Sequence, residues 1–449
     1  VLRVAVVGSG PSGVYTAQAL VQQTAVPDVR VHVLDRLPCP YGLVRYGVAP
    51  DHEKIKSLQG TLRTVLEHER VTFVGNIAAA TPELPARRLL DLYHAVVYCV
   101  GAATDRRLGI PGEDLPGSFS ATEFVSWYSA HPDADPGGFA LGVRSAVVIG
   151  VGNVAVDVAR ILARAAGELL PTDVPQPALD LLSGSTVREV HMVGRRGPSQ
   201  AKFTTKELRE LGGLPQASVS VDPAELSLDP AFLDPSALPT ALRRNVEVLR
   251  GWAAAPVPSR KRTLHLRFHL RPVELLADAG RVAAVRFERT VPAGAGGVRG
   301  TGTYEDIEAQ LVLRSVGYRG MPLPGLPFDP ARGTVPHTAG RVLREGLPSL
   351  GEYVAGWIKR GPTGVIGTNR PCAKETALSL LADADALSRR EVAADPLDVL
   401  RESGLRPVEW PGWLAIEAAE AALGSSLGRR SVKIADWAGL LGAAAQNWA

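Results

Sequence analysis

Cysteine is scarce in this 449-residue chain: Cys39, Cys99 and Cys372 are far apart and form no Cys-x-x-Cys pair. That excludes a disulfide framework, a structural zinc site and a dithiol redox centre. It suits a reducing compartment, so a cytoplasmic location and no bound metal are expected. Long apolar runs are also missing, and nothing approaches the ~20 residues that a membrane-spanning helix needs. Net charge is small: 49 Lys+Arg against 46 Asp+Glu leave a formal +3. This balance argues against a nucleic-acid partner, while a local basic face for an acidic protein stays open. The chain opens inside its first expected strand, with no signal or transit segment visible. Gly (46) and Pro (35) are plentiful but not repetitive, so a folded chain of two or three domains is expected.

What is present is a glycine turn that occurs twice. Val4-Ala5-Val6-Val7 reads as a buried strand running into Gly8-Ser9-Gly10-Pro11-Ser12-Gly13. A helix is expected from about Ser12 to Gln23, with Val14, Ala17, Leu20 and Val21 on one face. A second strand, 29–34, ends at Asp35, which lies 22 residues after Gly13. Strand, glycine turn, helix, strand and acid together form a dinucleotide-binding signature. The glycines let backbone reach a pyrophosphate, the helix N-terminus offers N–H groups, and the carboxylate accepts from ribose hydroxyls.

The second copy opens with Ala146-Val147-Val148-Ile149 and turns at Gly150-Val151-Gly152-Asn153-Val154-Ala155. Its helix is expected over 153–169, and its next strand, 188–193, ends at Val193-Gly194-Arg195-Arg196. Two cations stand where the first copy has Asp35. A planar guanidinium matches a 2′-phosphate, which favours NADP over NAD; a solvated strand end is the alternative. Arg195 follows Ala155 by 40 residues, and a Pro-rich loop at 171–186 takes up the excess. Two nucleotide sites in one chain most simply mean a flavin fed by a nicotinamide.

Elsewhere, residues 54–68 read as helix and 93–102 as a buried strand. Residues 215–240, rich in Pro, Asp and Ser, read as a surface excursion, and 245–315 as antiparallel strands, 263–268 among them. A helix is expected from Asn369, and another over 413–423 ahead of a polar C-terminal end. The Gly/Pro-rich run from Pro38 to His52 follows Asp35 and suits the wall of an isoalloxazine ring. His52 there serves either as a proton relay or as packing. Similarly, Trp357 reads as ring contact or core, and Asp157 as a site acid or a solvated helical one.

Four runs together resemble the adrenodoxin reductase family of ferredoxin–NADP⁺ reductases, over nearly the whole chain. They are Tyr41 to His52 (YGLVRYGVAPDH); Gly152 to Ala155 with Asp157 to Arg160; Val193 to Pro198 with Phe203-Thr204 and Lys206 to Glu210; and Gly356 to Asn369 (GWIKRGPTGVIGTN). The resemblance implies an α/β fold of two Rossmann-like three-layer nucleotide-binding domains. The FAD domain would be discontinuous, residues 1–105 and 325–449, with an NADP domain at 106–324. FAD would be held at Gly8, Gly10, Ser12, Gly13, Asp35, Leu43, Ala79, Trp357, Gly364, Val365 and Ile366. NADPH would be held at Gly150, Val151, Gly152, Asn153, Arg195, Arg196, Glu207 and Gly364. His52 and Asp157 match active-site positions. This chain departs from the family pattern at Asp35 (usually Glu), Val151 (usually Gln), Ser12 (often Ala) and Ala79 (often Val).

The implied activity is hydride uptake from NADPH by FAD and single-electron delivery to a ferredoxin-type protein. Three cysteines cannot ligate a four-cysteine cluster, so the acceptor is expected to be a separate, acidic protein. Arg209, Arg243 and Arg244 are candidates for its docking face, and a monomer is expected. The rivals are a glutamate synthase-type electron-input subunit, a disulfide reductase and a non-catalytic nucleotide-binding redox sensor. The missing cluster-binding and paired cysteines count against the first two.

Overall fold

The apolar run at the start of the chain forms the strand Leu2–Val7, in the interior of an eight-stranded sheet. It runs parallel to Val29–Leu34 on one side and Ala95–Tyr98 on the other, with Val4 opposite both Val31 and Ala95. Val71–Gly75 and Leu347–Val354 extend the parallel core. Val408–Glu409 at one edge, and Arg341–Arg344 and His337–Thr338 at the other, pair antiparallel. Strand side chains alternate between faces. Leu2, Val4 and Val6 therefore enter one core, with the helices Pro11–Gln22 and Asn369–Ala382. Ala5 and Val7 enter a second core, with Leu89 and Leu92 of the helix Ala86–Leu92. Both faces are covered, as a parallel sheet requires.

The structure, a computed structural model, describes residues 1–102 and 104–445. Two units divide the chain: Val1–Thr104 with Tyr318–Ala449, and Asp105–Gly317. The second unit holds a six-stranded parallel sheet. Its order is Ser118–Ser120, Leu311–Arg314, Ser145–Ile149, Glu189–Val193, Arg262–Arg267, Ala217–Val221. Leu270–Asp278, Arg281–Pro292 and Val298–Glu308 form a separate antiparallel sheet. Leu275, Val285, Phe287 and Ile307 of that sheet pack with Val147, Ile149 and Val312. Both units are α/β and Rossmann-like. In each, the strand before the glycine turn has its sequence successors on opposite sides, the switch point at which such sheets bind ligands. Among the described residues no helix is long and apolar enough to cross a membrane.

Several stretches differ from the expectation. The helix expected over 153–169 ends at Ala163, because Arg164 turns into extended backbone, and a 3₁₀ turn Ala166–Leu169 follows. The Pro-rich loop contains the helix Gln176–Ser183; its prolines sit at the start, where no intrahelical N–H bond is lost. Residues 215–240 are a surface excursion only beyond Val221, where short helical turns carry mostly exposed residues. Ala217–Val221 is a strand of the parallel sheet, and Asp222, Asp229 and Asp234 cap the short helical turns that follow. Thr240–Ala254 is a helix burying Val246 and Leu249. Arg262–Arg267 pairs in parallel, so antiparallel pairing is confined to 270–308. The C-terminal end carries an apolar helix, Trp437–Ala444, which buries Leu440, Ala443 and Ala444.

Candidate functional site

In the first unit the chain leaves Leu2–Val7 at Gly8 (φ 112°), where a Cβ would stand 2.3 Å from the Cys99 carbonyl oxygen. At Gly13 a Cβ would stand 1.8 Å from the Gly8 oxygen, so the helix packs this close only without a side chain. Gly10 differs: the nearest atom to a Cβ there is the Gly42 Cα at 3.7 Å. Its backbone is open on that side, a cradle that a side chain would fill. Gly10 is also the N-cap of Pro11–Gln22 and brings no side-chain cap, which leaves first-turn N–H groups for an anion.

Asp35 ends the second strand and is held in place. Its Oδ2 accepts from the Ser9 N–H at 3.0 Å and from the Ser9 hydroxyl, and its Oδ1 from the Leu37 N–H at 2.9 Å. Burial pushes this carboxyl above its ordinary value, and those hydrogen bonds work against the shift. Ser9 carried no signal in the sequence beyond its place inside the glycine motif.

The Tyr41 N–H donates to the Ser9 carbonyl at 3.0 Å. Tyr41 (φ 86°) and Gly42 (φ 52°) both have positive φ. A Cβ on Gly42 would lie 2.8 Å from the Gly10 Cα. The segment from Pro38 to His52 therefore lies directly against the glycine turn. Arg45 anchors it: Nη1 lies 3.0 Å from Glu420 Oε2, and the Lys433 ammonium donates to the Arg45 carbonyl at 2.6 Å. The Arg45 guanidinium also covers the Tyr46 and Trp413 rings at 4.9 and 5.1 Å. Leu43, at the start of the short helix Leu43–Tyr46, is 46% exposed. His52 is buried and N-caps Glu53–Lys56.

Trp357 opens the helix Trp357–Arg360, with its ring centroid 5.3 Å from that of Tyr318. A Cβ on the preceding Gly356 would stand 2.4 Å from Ser12 Oγ, so this turn abuts the first glycine helix. Gly364 (φ 83°), Val365 and Ile366 lie on the loop before Asn369–Ala382. The Val365 N–H there bonds Thr368 Oγ1 at 3.1 Å, and Val365 is 66% exposed. Among the described residues this loop makes no hydrogen bond to the glycine turn. Ala79 packs with the core on the other face of the sheet from the Pro11–Gln22 helix. Burial pushes the Cys39 thiol up to about 11 and the Cys99 thiol up to about 12, which leaves neither as a thiolate at neutral pH.

The second unit repeats the turn. A Cβ on Gly150 (φ 142°) would stand 2.1 Å from the Ser315 carbonyl oxygen, while one on Gly152 would meet no atom within 4 Å. Gly152 N-caps Asn153–Ala163 without a side-chain cap. Ala155, fully buried, takes the place of the third glycine. Asn153 Oδ1 accepts the Thr204 N–H at 2.9 Å. Val151 offers no polar side-chain atom, and its carbonyl accepts the Lys202 N–H at 2.9 Å. Beyond Glu189–Val193, Arg195 is exposed and Arg196 half-buried. Among the described residues neither guanidinium has a hydrogen-bond or ion-pair partner. The two units thus present one open glycine cradle each, beside a carboxylate in the first and two guanidiniums in the second. A dinucleotide fits both, and a 2′-phosphate fits only the second.

Asp157 is not a solvated acid. Arg160, almost wholly buried, faces the carboxylates of Asp157 at 2.9 Å, Glu210 at 3.4 Å and Glu207 at 3.7 Å. Arg160 was missed in the sequence, although its i, i+3 spacing from Asp157 was a usable signal. Arg209, Arg243 and Arg244 are exposed. A groove of about 480 Å³ is lined by Thr205, Lys206, Arg209, Glu210 and Arg244.

Known proteins share this architecture. The family described as pyridine nucleotide-disulphide oxidoreductase matches residues 2–211. NADPH-ferredoxin reductase FprA of Mycobacterium tuberculosis is 45% identical over 454 residues, covering 98% of both chains. The mitochondrial NADPH:adrenodoxin oxidoreductase of Arabidopsis thaliana is 40% identical, covering 99% of this chain and 95% of the other. The solved structure of Mycobacterium tuberculosis FprA in complex with NADPH has a TM-score of 0.92 and 42% identity, covering 99% of each chain.

Proposed function

The chain belongs to the adrenodoxin reductase-type family and is an FAD-dependent oxidoreductase drawing electrons from NADPH; on that premise we propose that it serves a separate, acidic ferredoxin-type iron–sulfur protein. One observation supports the assignment of its two nucleotides above all: the two open cradles differ in the charge beside them, Asp35 against Arg195 and Arg196. FAD accordingly goes to the unit Val1–Thr104 with Tyr318–Ala449, and NADPH to Asp105–Gly317.

When bound, FAD accepts a hydride from NADPH and passes electrons on singly. The protein's residues hold and shield. The backbone from Gly8 to Gly13 would receive the flavin nucleotide's diphosphate, Asp35 its ribose hydroxyls, and Leu43, Trp357 and the Gly364–Ile366 loop its ring and chain, while Ala79 packs into the core on the other face of the sheet. Gly150 to Asn153 receive the diphosphate of NADPH, and Arg195 and Arg196 its 2′-phosphate. Glu207 and Asp157 act with Arg160, whose guanidinium fixes both carboxylates. His52, buried at the end of the Pro38–His52 segment, is the candidate proton relay. Lys206, Arg209, Arg243 and Arg244 form the docking face. Such encounters are small, polar and weakened by salt.

The test is anaerobic mixing with NADPH or NADH while watching the flavin band near ~450 nm. Rapid bleaching with strong NADPH preference is expected, lost in the Arg195→Ala/Arg196→Ala variant. An acidic ferredoxin should then be reduced, more slowly as salt rises. Equal response to both nucleotides would remove the second-site assignment. Absent bleaching would favour the redox sensor.

A further inference from the structure

Arg195 and Arg196 stand on a loop, yet their main chain is fixed by three consecutive hydrogen bonds. The Leu270 N–H donates to the Gly194 carbonyl at 3.1 Å, and the His269 N–H to the Arg196 carbonyl at 3.1 Å. Between them, the Thr290 hydroxyl donates to the Arg195 carbonyl at 2.8 Å. All three donors belong to the antiparallel sheet or to the residue that enters it, not to the parallel sheet that carries the arginines. His269 and Thr290 are themselves joined, since the Thr290 N–H donates to the His269 carbonyl at 2.9 Å.

Both residues sit there at a cost. His269 is in the left-handed region (φ 56°), rare for a residue with a Cβ. Its side chain is buried, and among the described residues both ring nitrogens lack a hydrogen-bond partner. Thr290 is 1% exposed, and the ladder between its strand and Val298–Glu308 shifts register between Glu288 and Thr290. Backbone strain and ladder irregularities of this kind persist where the surroundings over-determine a functional geometry.

We propose that Thr290, with the His269 turn, is a positioning residue for nucleotide selectivity: it holds the Arg195–Arg196 main chain so that both guanidiniums meet the 2′-phosphate together. This rests on the reading that those arginines receive that phosphate. A phosphate recognised by two long side chains gains from each only if their Cα atoms are already placed; otherwise ordering the loop is subtracted from binding. The Thr290 hydroxyl bonds the Arg195 carbonyl and no residue of the Gly150–Asn153 cradle, so its loss should be felt at the 2′-phosphate rather than at the diphosphate.

The experiment uses the full FAD-loaded chain and equilibrium calorimetry with two probes, adenosine 2′,5′-bisphosphate and adenosine 5′-monophosphate. Thr290→Val keeps shape and burial but removes the hydroxyl. It should weaken the bisphosphate about fivefold, the worth of one neutral hydrogen bond, and leave the monophosphate unchanged. Thr290→Ser should restore affinity. KM for NADPH should rise with kcat at saturation unchanged, and the melting temperature should fall by no more than about 2–4 °C. Thr290→Ala serves as a second hydroxyl-free variant should the valine disturb folding. Equal weakening of both probes, unchanged bisphosphate affinity, or no rescue by serine would overturn the proposal. The Arg195→Ala/Arg196→Ala variant separates the two levels. If it keeps its preference for the bisphosphate, the underlying phosphate assignment falls; if it loses it while Thr290→Val and Thr290→Ala do not, only the positioning role falls.

Discussion

Replacing Gly152 by alanine should separate nucleotide binding from folding. Its backbone (φ −102°, ψ −178°) lies in a region open to any residue. A Cβ there meets no protein atom within 4 Å. Narrowing the unfolded ensemble by Gly→Ala stabilises by ~0.4–1 kcal/mol. Alanine is a poorer N-cap than glycine by up to about 1 kcal/mol. The terms nearly cancel, so melting should move by no more than about 2–4 °C. Binding has no such compensation, because on the proposed assignment the new methyl would take the space of the pyrophosphate. A hydrogen bond to a charged group is worth ~1.5–3 kcal/mol, and the helix N-terminus adds ~0.3–1 kcal/mol. Losing both weakens NADP⁺ by about 2–4 kcal/mol, or roughly 30- to 700-fold in Kd. Calorimetric titration with NADP⁺ beside a thermal melt reads both quantities. Gly150→Ala is the contrast: its φ of 142° and a Cβ 2.1 Å from the Ser315 oxygen predict a clear loss of melting temperature. Unchanged NADP⁺ affinity in Gly152→Ala, or a melting loss as large as that of Gly150→Ala, would refute the open-cradle argument.

Other expectations follow from buried charge. Glu420→Gln strips the partner from buried Arg45 and should destabilise by about 3 kcal/mol, with FAD retained less well. A denaturant midpoint within error of the parent would show that the pair does not anchor the Pro38–His52 segment. His191 stacks on His265 at 4.5 Å, and burial, reinforced by the His265 and Arg267 charges, holds it at about 3. Between pH about 6.5 and about 3 the unfolded chain binds a proton at His191 that the folded chain does not, so this residue makes stability fall on acidification through that window. His191→Phe keeps a ring in the stack and removes the titration. Its melting temperature should drop less than the parent's between pH 7 and 4.5, and parallel curves would count against the assignment.

Much of the fold was legible because its signals are local. The unit from Val4 to Asp35 declares itself within thirty-five residues, through a continuous apolar run, a glycine turn and one helical face. Signals with two meanings failed. Pro175 and Pro177 read as a loop but are also what a helix start tolerates. The alternation in Arg262–Arg267 is the same for a parallel or antiparallel neighbour, and only pairing with Glu189–Val193 and Ala217–Val221 decided it. In the site, Asp35, Arg195 and Arg196 were readable from their strand ends. Ser9 and the proposed Thr290 were not, since each acts through a partner that spacing alone did not identify, whereas Arg160 lies at i, i+3 from Asp157 and had a usable signal.

Sequence by itself determined that this chain builds two glycine turns with opposite charge at the neighbouring strand ends, because turn conformation and strand-end chemistry are encoded within a few residues. Tertiary structure alone decided what steadies them. Arg45 meets Glu420 across 375 residues of chain, and Thr290 reaches the Arg195 carbonyl across 95. Such contacts depend on which elements pack together, a property of the whole folded unit that no local window of sequence contains.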